Sequence, residues 1–186
     1  MSINPSALSI VHYPAAVLRT RAADLPAVDA TTAAIATRMI ELMRQAEGIG
    51  LAAPQVGLSI RMFIADVPPD DEAEPPRTPA DDPATCTAGP VVYINPVISS
   101  PGRASAPFAE GCLSLPGIRG DVIRPTEVTI TYTTLDGSRV SQRGGGLLAR
   151  CWQHEMDHLD GTLIIDRMTQ MGRMKNRAAI KRLEGR

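Results

Sequence analysis

A five-residue pattern, His154-Glu155-Met156-Asp157-His158, constrains this chain more than any other feature. Imidazoles four residues apart lie on one face of a helix, where both can bind one divalent cation with the glutamate beside a bound water. Taken alone, the pattern fits a solvated helix without metal equally well. Two of the chain's three histidines lie here, however, and an apolar stripe precedes them, formed by Leu147, Leu148, Cys151 and Trp152. We therefore expect a buried metal-binding helix.

A catalytic metal usually takes three protein ligands and keeps one position for water. Two common sources of a third ligand are missing. Ile164 stands where one class of metalloproteases has another histidine, and Glu184, the last glutamate, lies two residues from the chain end. Cysteine is the better source. Cys112 follows a glycine, and its alternative role is a small buried hydrophobe, whereas Cys151 precedes the motif and fits a pocket wall or packing.

A third segment, Gly48 to Gln55, is rich in glycine and alanine. Its simplest interpretation is a turn before a strand. It lacks the Lys-Ser/Thr of a phosphate loop and no helix pattern follows it, which argues against nucleotide binding. Small residues allow two backbones to approach closely, so the segment suits a peptide that binds as an added strand.

Length and charge limit the possible classes. The 186 residues fit one domain, residues 1–186. A net charge of −1 gives no indication of DNA binding, and no apolar run is long enough to span a membrane. The N-terminus lacks the pattern of a signal peptide and three cysteines suggest no disulfide framework, so we expect a cytoplasmic protein.

Hydrophobic periodicity predicts an α+β fold in one domain, with antiparallel strands around a central metal-binding helix and one helix near each end of the chain. Between two strands, residues 68–85 are rich in proline and acidic side chains, which predicts a solvated surface loop. The predicted strands are Leu58–Val67, Val91–Ile98 (broken at Pro96), Glu127–Thr133 and Ser138–Arg143. Three helices are predicted. The first is capped by Asp29 or Thr31 and ends near Gln45, and the other two cover Leu147–Leu159 and Arg173–Leu183.

Taken in order, the segments Gly48–Gln55, Glu110–Ser114 and His154–His158 resemble the three signature stretches of the peptide deformylases. The resemblance covers nearly the whole chain and is weakest over residues 68–85 and the last fifteen or so residues. That acidic insertion departs from the compact pattern of the family, so we do not expect it near the chemistry.

The resemblance implies a role for each matching residue. Cys112, His154 and His158 would bind the metal, and Glu155 would act as general acid and base. Gln55 and the backbone N–H of Leu113 would hold the developing oxyanion. Independently of the resemblance, we expect Glu110 to orient the groups around it. Substrate binding would involve backbone at Ile49, Gly50 and Gly111, Arg119 near the cleft, and a methionine pocket formed by Ile49, Leu147, Cys151 and His154. Arg150 occupies a position that is apolar in many members.

The resemblance also implies an activity. A metal-bound water or hydroxide would attack the formyl group of N-formyl-methionyl nascent polypeptides and release formate. The native ion would be Fe²⁺, one per chain, which Zn²⁺, Ni²⁺ or Co²⁺ can replace. Contact with ribosomal RNA through the basic C-terminal segment is one expectation, and a solvated helix face is its alternative. That segment contains Arg167, Arg173, Lys175, Arg177, Lys181, Arg182 and Arg186.

Two further interpretations fit the motif. One is a peptidase that uses the same helix, which would cleave unformylated peptides. The other is a non-catalytic module whose structural metal has four ligands, with Cys151 as the fourth. A structural site has no use for Glu155 or Gln55, and this argues against the second interpretation.

Overall fold

A computed structural model describes residues 3–70 and 78–185. Its helices are α1 (Ala30–Gln45), α2 (Gly146–Leu159), α3 (Ile164–Arg167) and α4 (Gln170–Leu183). Its strands are β1 (Gly50–Ala52), β2 (Met62–Ala65), β3 (Val91–Ser99), β4 (Ser105–Gly111), β5 (Arg119–Pro125), β6 (Glu127–Thr133) and β7 (Arg139–Gly145). No helix in these two ranges has the length and apolar character that crossing a membrane requires.

Helix α1 begins where the sequence predicts. The Asp29 side chain accepts a hydrogen bond from the backbone N–H of Thr32 at 2.7 Å. The Thr32 hydroxyl oxygen in turn accepts one from the backbone N–H of Asp29 at 3.3 Å, which completes a capping box. The apolar side chains at helical spacing are buried, as expected: Ile35, Met39, Leu42 and Met43.

Five strands form one antiparallel sheet in the order β1-β2-β3-β6-β7. Alternation along β2 divides its side chains between two faces, because Phe63 packs against α2 whereas Met62 and Ile64 pack against α1. The sheet therefore lies between these helices. The predicted break at Pro96 is wrong: β3 continues through it, and a shift in register between Ile94 and Val97 absorbs the irregularity.

Strands β4 and β5 form a separate hairpin with pairing from Ser105–Pro125 to Gly111–Arg119. The sequence pattern predicts neither of these strands, and it does not predict β1. The predicted strand over 58–67 is four residues long, and the last helix starts at Gln170, where the Thr169 side chain caps it, rather than at Arg173.

Helix α2 is central, as predicted, and contacts strands of both sheets. Trp152 is fully buried beneath the five-stranded sheet, with its ring 5.9 Å from that of Tyr93. Gly144 on β7 allows this approach, since a Cβ atom there would lie 2.3 Å from the Trp152 ring. Leu147 does not join this buried face. It is 37% exposed, because it lies in the first turn of α2, beside a cavity.

The acidic insertion is only partly a solvated loop. Residues 71–77 lie outside the described residues. At its C-terminal end, Ala84 is buried and pairs with the edge of β7: its N–H donates to Arg143 O and its carbonyl accepts from Gly145 N. At the other end, Pro68, Pro69 and Asp70 line a cavity that shares Phe108, Leu147 and Arg150 with the cavity described below. These three residues are exposed, as a surface loop predicts, and they border a cavity next to the candidate site.

Candidate active site

Helix α2 and the end of β4 bring one thiol and two imidazoles together. We call Cys112, His154 and His158 the thiol–imidazole group. His154 and His158 lie one helical turn apart, and Cys112 follows the last residue of β4. The Cys112 Sγ lies 3.2 Å from His158 Nε2. One ligand atom from each of these three residues lies within 4.8 Å of the others, so all three can bind a single ion. Among the described residues, no other group of three histidine, cysteine or acidic side chains brings its ligand atoms this close together.

The chemistry of this group fits a divalent metal. His154 Nδ1 lies 3.0 Å from Glu110 Oε2, which leaves Nε2 for an ion. Burial lowers the pKa of His158 well below its ordinary value, and the neutral imidazole is the form that binds metal. One sulfur and two nitrogens are three of the four ligands of a typical tetrahedral site, and they suit soft and borderline ions.

Glu110 is held by charged neighbours. Arg124 donates to both of its carboxylate oxygens, at 2.7 and 2.9 Å, and a further nitrogen of the guanidinium reaches Asp157 on α2 at 2.8 Å. Burial alone would raise the pKa of Glu110, but the hydrogen bonds from His154 and Arg124 outweigh it and hold this pKa well below its usual range. The sequence pattern does not single out Arg124 or Asp157, because nothing in the neighbouring residues distinguishes either from a charged residue at the surface.

Glu155 lies beside the two histidines and is 3% exposed. Its Oε2 has no hydrogen-bond partner among the described residues. Burial raises the pKa of this carboxyl to about 7. A buried carboxyl with a free oxygen is able to accept and return a proton of a bound reactant.

Gln55 is 1% exposed, and its orientation is fixed by the backbone. Its Oε1 accepts a hydrogen bond from Ala52 N–H at 2.8 Å, so its Nε2 points the other way, 3.6 Å from Cys112 Sγ and 3.3 Å from Ser114 Oγ. The amide therefore presents its donor to the thiol–imidazole group. Ser114, which the sequence analysis did not single out, supports this orientation.

A cavity of about 540 Å³ opens above this group. Its walls include nearly all predicted site residues: Ile49, Gly50, Gln55, Gly111, Cys112, Leu113, Arg119, Leu147, Cys151, His154 and Glu155. His158 lies deeper, at 1% exposure. Further walls that the sequence analysis did not assign come from Glu47, Phe108, Ala109, Leu115 and Ile118.

Two sheet edges border the cavity. Strand β1 ends the five-stranded sheet and β4 pairs only with β5 among the described strands, so Gly50 and Gly111 lie on edges that face the same opening. An extended peptide can add to such edges through backbone hydrogen bonds. Cys151 lies outside the thiol–imidazole group, with its Sγ 3.6 Å from Ile49 O, which leaves the hypothesis of a fourth cysteine ligand without support.

Comparison with known proteins agrees with this geometry. The family model described as polypeptide deformylase matches residues 7–174. Peptide deformylase 2 of Gloeobacter violaceus is 42% identical over 152 residues, which are 82% of this chain and 74% of that protein. A peptide deformylase of Chlorobium luteolum is also 42% identical, over 168 residues, 90% of this chain and 82% of that protein.

Solved structures give the same result. A plant peptide deformylase superimposes with a TM-score of 0.85 at 34% identity and covers 100% of this chain and 92% of its own. A Plasmodium falciparum peptide deformylase in complex with an inhibitor has a TM-score of 0.81 at 33% identity, over 96% of this chain and 100% of that one. The chain therefore belongs to the polypeptide deformylase family and is a hydrolase of the kind that removes the formyl group from protein N-termini.

Proposed function

We propose that residues 1–186 act as a single catalytic domain that removes the formyl group from N-formyl-methionyl nascent polypeptides, and that the reaction depends on one divalent ion bound by Cys112, His154 and His158. The observation that carries this proposal is the convergence of one thiol and two imidazoles within 4.8 Å beneath a cavity that also contains Gln55 and Glu155.

The proposed native ion is Fe²⁺, with Zn²⁺, Ni²⁺ or Co²⁺ able to replace it, since a thiolate and two imidazoles suit each of these ions. When bound, such an ion would polarise the formyl carbonyl and make water a stronger acid, lowering its pKa towards ~7.

Glu155 acts as the general base and then as the general acid of the reaction. Its free Oε2 accepts the proton of the attacking water, and the carboxyl then delivers that proton to the departing amine of the methionine. The surrounding protein excludes bulk solvent from this carboxyl, which is 3% exposed, so the proton passes between reacting groups rather than to solvent.

Gln55 and the backbone N–H of Leu113 stabilise negative charge on the former formyl oxygen. The hydrogen bond from Ala52 N–H to Gln55 Oε1 fixes the amide before substrate arrives, so its Nε2 donor needs no reorganisation during the reaction. A preorganised donor of this kind contributes roughly 3–4 kcal/mol to transition-state stability. Being neutral, the amide leaves the charge of the metal centre unchanged.

The peptide binds as a strand between the edges of β1 and β4. Backbone groups of Ile49, Gly50 and Gly111 pair with it, and Arg119 lies at the rim of the same cavity. The methionine side chain extends along α2, where the inner side of the cavity is formed by Leu147, Cys151 and His154. These are one face of the helix, at positions i, i+4 and i+7.

Helix α4 supplies the surface for a ribosome contact. Its cations are exposed to solvent and can approach RNA phosphates, namely Arg173, Lys175, Arg177, Lys181 and Arg182. If this contact forms, binding to ribosomes weakens steeply as salt rises.

One experiment tests the activity and the metal on the same sample. The protein is purified without oxygen, its metal content is measured by elemental analysis, and formate release is followed with formyl-Met-Ala. The proposal expects about one iron per chain and release of formate, with no cleavage of unformylated Met-Ala peptides. Cleavage of the unformylated peptide bond would instead support the peptidase interpretation, and formate release by metal-free protein would remove the metal from the mechanism.

A further inference from the structure

Arg150 contacts four partners in the structure, namely Glu110, Val122, Ala106 and Phe108. It lies on α2 one turn before His154 and is 9% exposed. Its Nη1 donates to Glu110 Oε1 at 2.9 Å and to Val122 O at 3.1 Å, and its Nη2 donates to Ala106 O at 2.8 Å. One side chain thus binds both strands of the β4–β5 hairpin.

The fourth contact is aromatic. The guanidinium lies over the Phe108 ring, 5.2 Å from its centroid, on the same strand as Ala106. The planar fork of arginine can serve several acceptors in fixed directions, whereas the ammonium of lysine is a single point of charge. The orientation of Arg150 is therefore set by the hairpin backbone and the ring, before any contribution from Glu110.

The Glu110 carboxylate has its full set of hydrogen bonds only with Arg150 in place. Oε1 accepts from Arg124 Nε and from Arg150 Nη1, while Oε2 accepts from Arg124 Nη2 and contacts His154 Nδ1. Arg124 and Glu110 both lie on the hairpin, so the pair between them does not itself fix the carboxylate relative to α2.

Three links join this hairpin to α2, besides the contact between His154 and Glu110. Arg150 forms the link one turn before His154, Gln153 donates to Pro125 O at 3.0 Å, and Arg124 pairs with Asp157 about one turn after His154. Of the three, only Arg150 joins α2 to Glu110 itself. Its loss would leave Glu110 Oε1 with Arg124, a residue of the same hairpin, as its donor, and the oxygen that contacts His154 could then shift relative to α2.

We propose that Arg150 is a positioning residue of the metal centre: it fixes the Glu110 carboxylate relative to α2, and Glu110 in turn fixes the imidazole of His154. This inference rests on the proposed role of His154 as a metal ligand. It assigns to a cavity-wall residue a function that acts through Glu110 and not through contact with the substrate.

The test compares three variants of the full-length protein. Arg150→Met removes the fork, Arg150→Lys keeps the charge, and Arg61→Met is the matched control. Arg61 is equally buried, at 8% exposure, and it also binds α2, through Leu159 O and Asp160, but it does not contact Glu110. The readouts are Co²⁺ affinity by competition with a chromogenic chelator, the visible spectrum of the Co²⁺ form, and kcat and KM for formyl-Met-Ala-Ser.

Loss of a group that orients a metal-binding histidine typically costs about 10- to 100-fold in metal affinity or activity. We expect a loss of this size for Arg150→Met, with an altered Co²⁺ spectrum and a lower kcat. Arg150→Lys should recover less than half of the loss on a logarithmic scale, and Arg61→Met should bind Co²⁺ within about twofold of the parent. If Arg150→Met does not fold, the Arg150→Lys spectrum and affinity decide.

Three results would overturn the proposal. The first is a Co²⁺ affinity equal to that of the parent in both Arg150 variants. The second is a change confined to KM, which would make Arg150 only a wall of the pocket. The third is an equal loss of Co²⁺ affinity in Arg61→Met. Failure of the proposed function is distinguishable from these, because the parent protein would then bind Co²⁺ but release no formate.

Discussion

Replacement of Gly50 by alanine should disable Glu155 while leaving the fold intact. A Cβ atom on Gly50 would lie 2.4 Å from Glu155 Oε1 and 2.8 Å from Cys151 Sγ. The backbone of Gly50 does not occupy the left-handed region, so alanine is compatible with its conformation and the effect comes from contact alone. Both neighbours are buried side chains of α2 in the wall of the cavity, so the displaced carboxylate would leave its position beside the histidines.

The size of the displacement follows from the distance. A carbon and an oxygen rarely approach closer than about 3.3 Å, so the methyl group and the carboxylate must separate by about 1 Å from the 2.4 Å available. A misplacement of about 1 Å can lower the rate of catalysis about 100-fold. We therefore expect kcat for formate release to fall by about that factor. Overpacking should also lower the free energy of unfolding by about 1–3 kcal/mol.

Gly144→Ala is the matched control. Its Cβ atom would lie 2.3 Å from the Trp152 ring, so it overpacks the same helix as strongly but away from Glu155. Both variants are assayed for kcat, bound metal and thermal unfolding. Gly144→Ala should lose stability and keep kcat per folded molecule. Retention of kcat within threefold in Gly50→Ala, or an equal loss of kcat in Gly144→Ala, would refute the reasoning.

Three further substitutions separate the remaining roles. Glu155→Ala should retain its metal by elemental analysis and lose about 10²- to 10⁴-fold in turnover, the usual share of general acid–base catalysis; loss of metal would contradict this. Cys112→Ala should release metal during dialysis, and an unchanged content would exclude this thiol as a ligand. Trp152→Ala should lower the free energy of unfolding in urea by about 3–5 kcal/mol, since the ring is fully buried; a loss below 1 kcal/mol would contradict that.

The sequence predicts the parts of the site that depend on local periodicity. His154 and His158 lie on one face of a helix because of their spacing, and β6 has its predicted bounds because its apolar residues alternate without interruption. The third member, Cys112, has no local signal. Spacing left two cysteines as candidates, and only the resemblance to a family chose between them before the structure brought Cys112 Sγ within 3.2 Å of His158.

The β4–β5 hairpin was missed for a physical reason. Apart from its glutamate, β4 has no buried side chain, and the two buried side chains of β5 are Val122 and the charged Arg124. Neither strand therefore shows the alternation of apolar residues that marks a half-buried strand. Leu147 was placed on the wrong face for the opposite reason: an apolar residue at helical spacing suggests a core, but the first turn of α2 borders a cavity.

The buried charges give the hairpin a role in the site that its sequence pattern does not indicate. Replacing a buried ion pair by packed apolar residues often leaves stability unchanged or higher, so stability alone does not account for Arg124, Glu110 and Asp157. Apolar packing tolerates sliding, whereas a bidentate arginine–carboxylate pair has one geometry. Glu110 contacts a histidine 44 residues further along the chain, and an ion site needs that contact correct to a fraction of an ångström. We therefore interpret the cluster of Arg124, Glu110 and Asp157 as the element that fixes the position of the hairpin relative to α2.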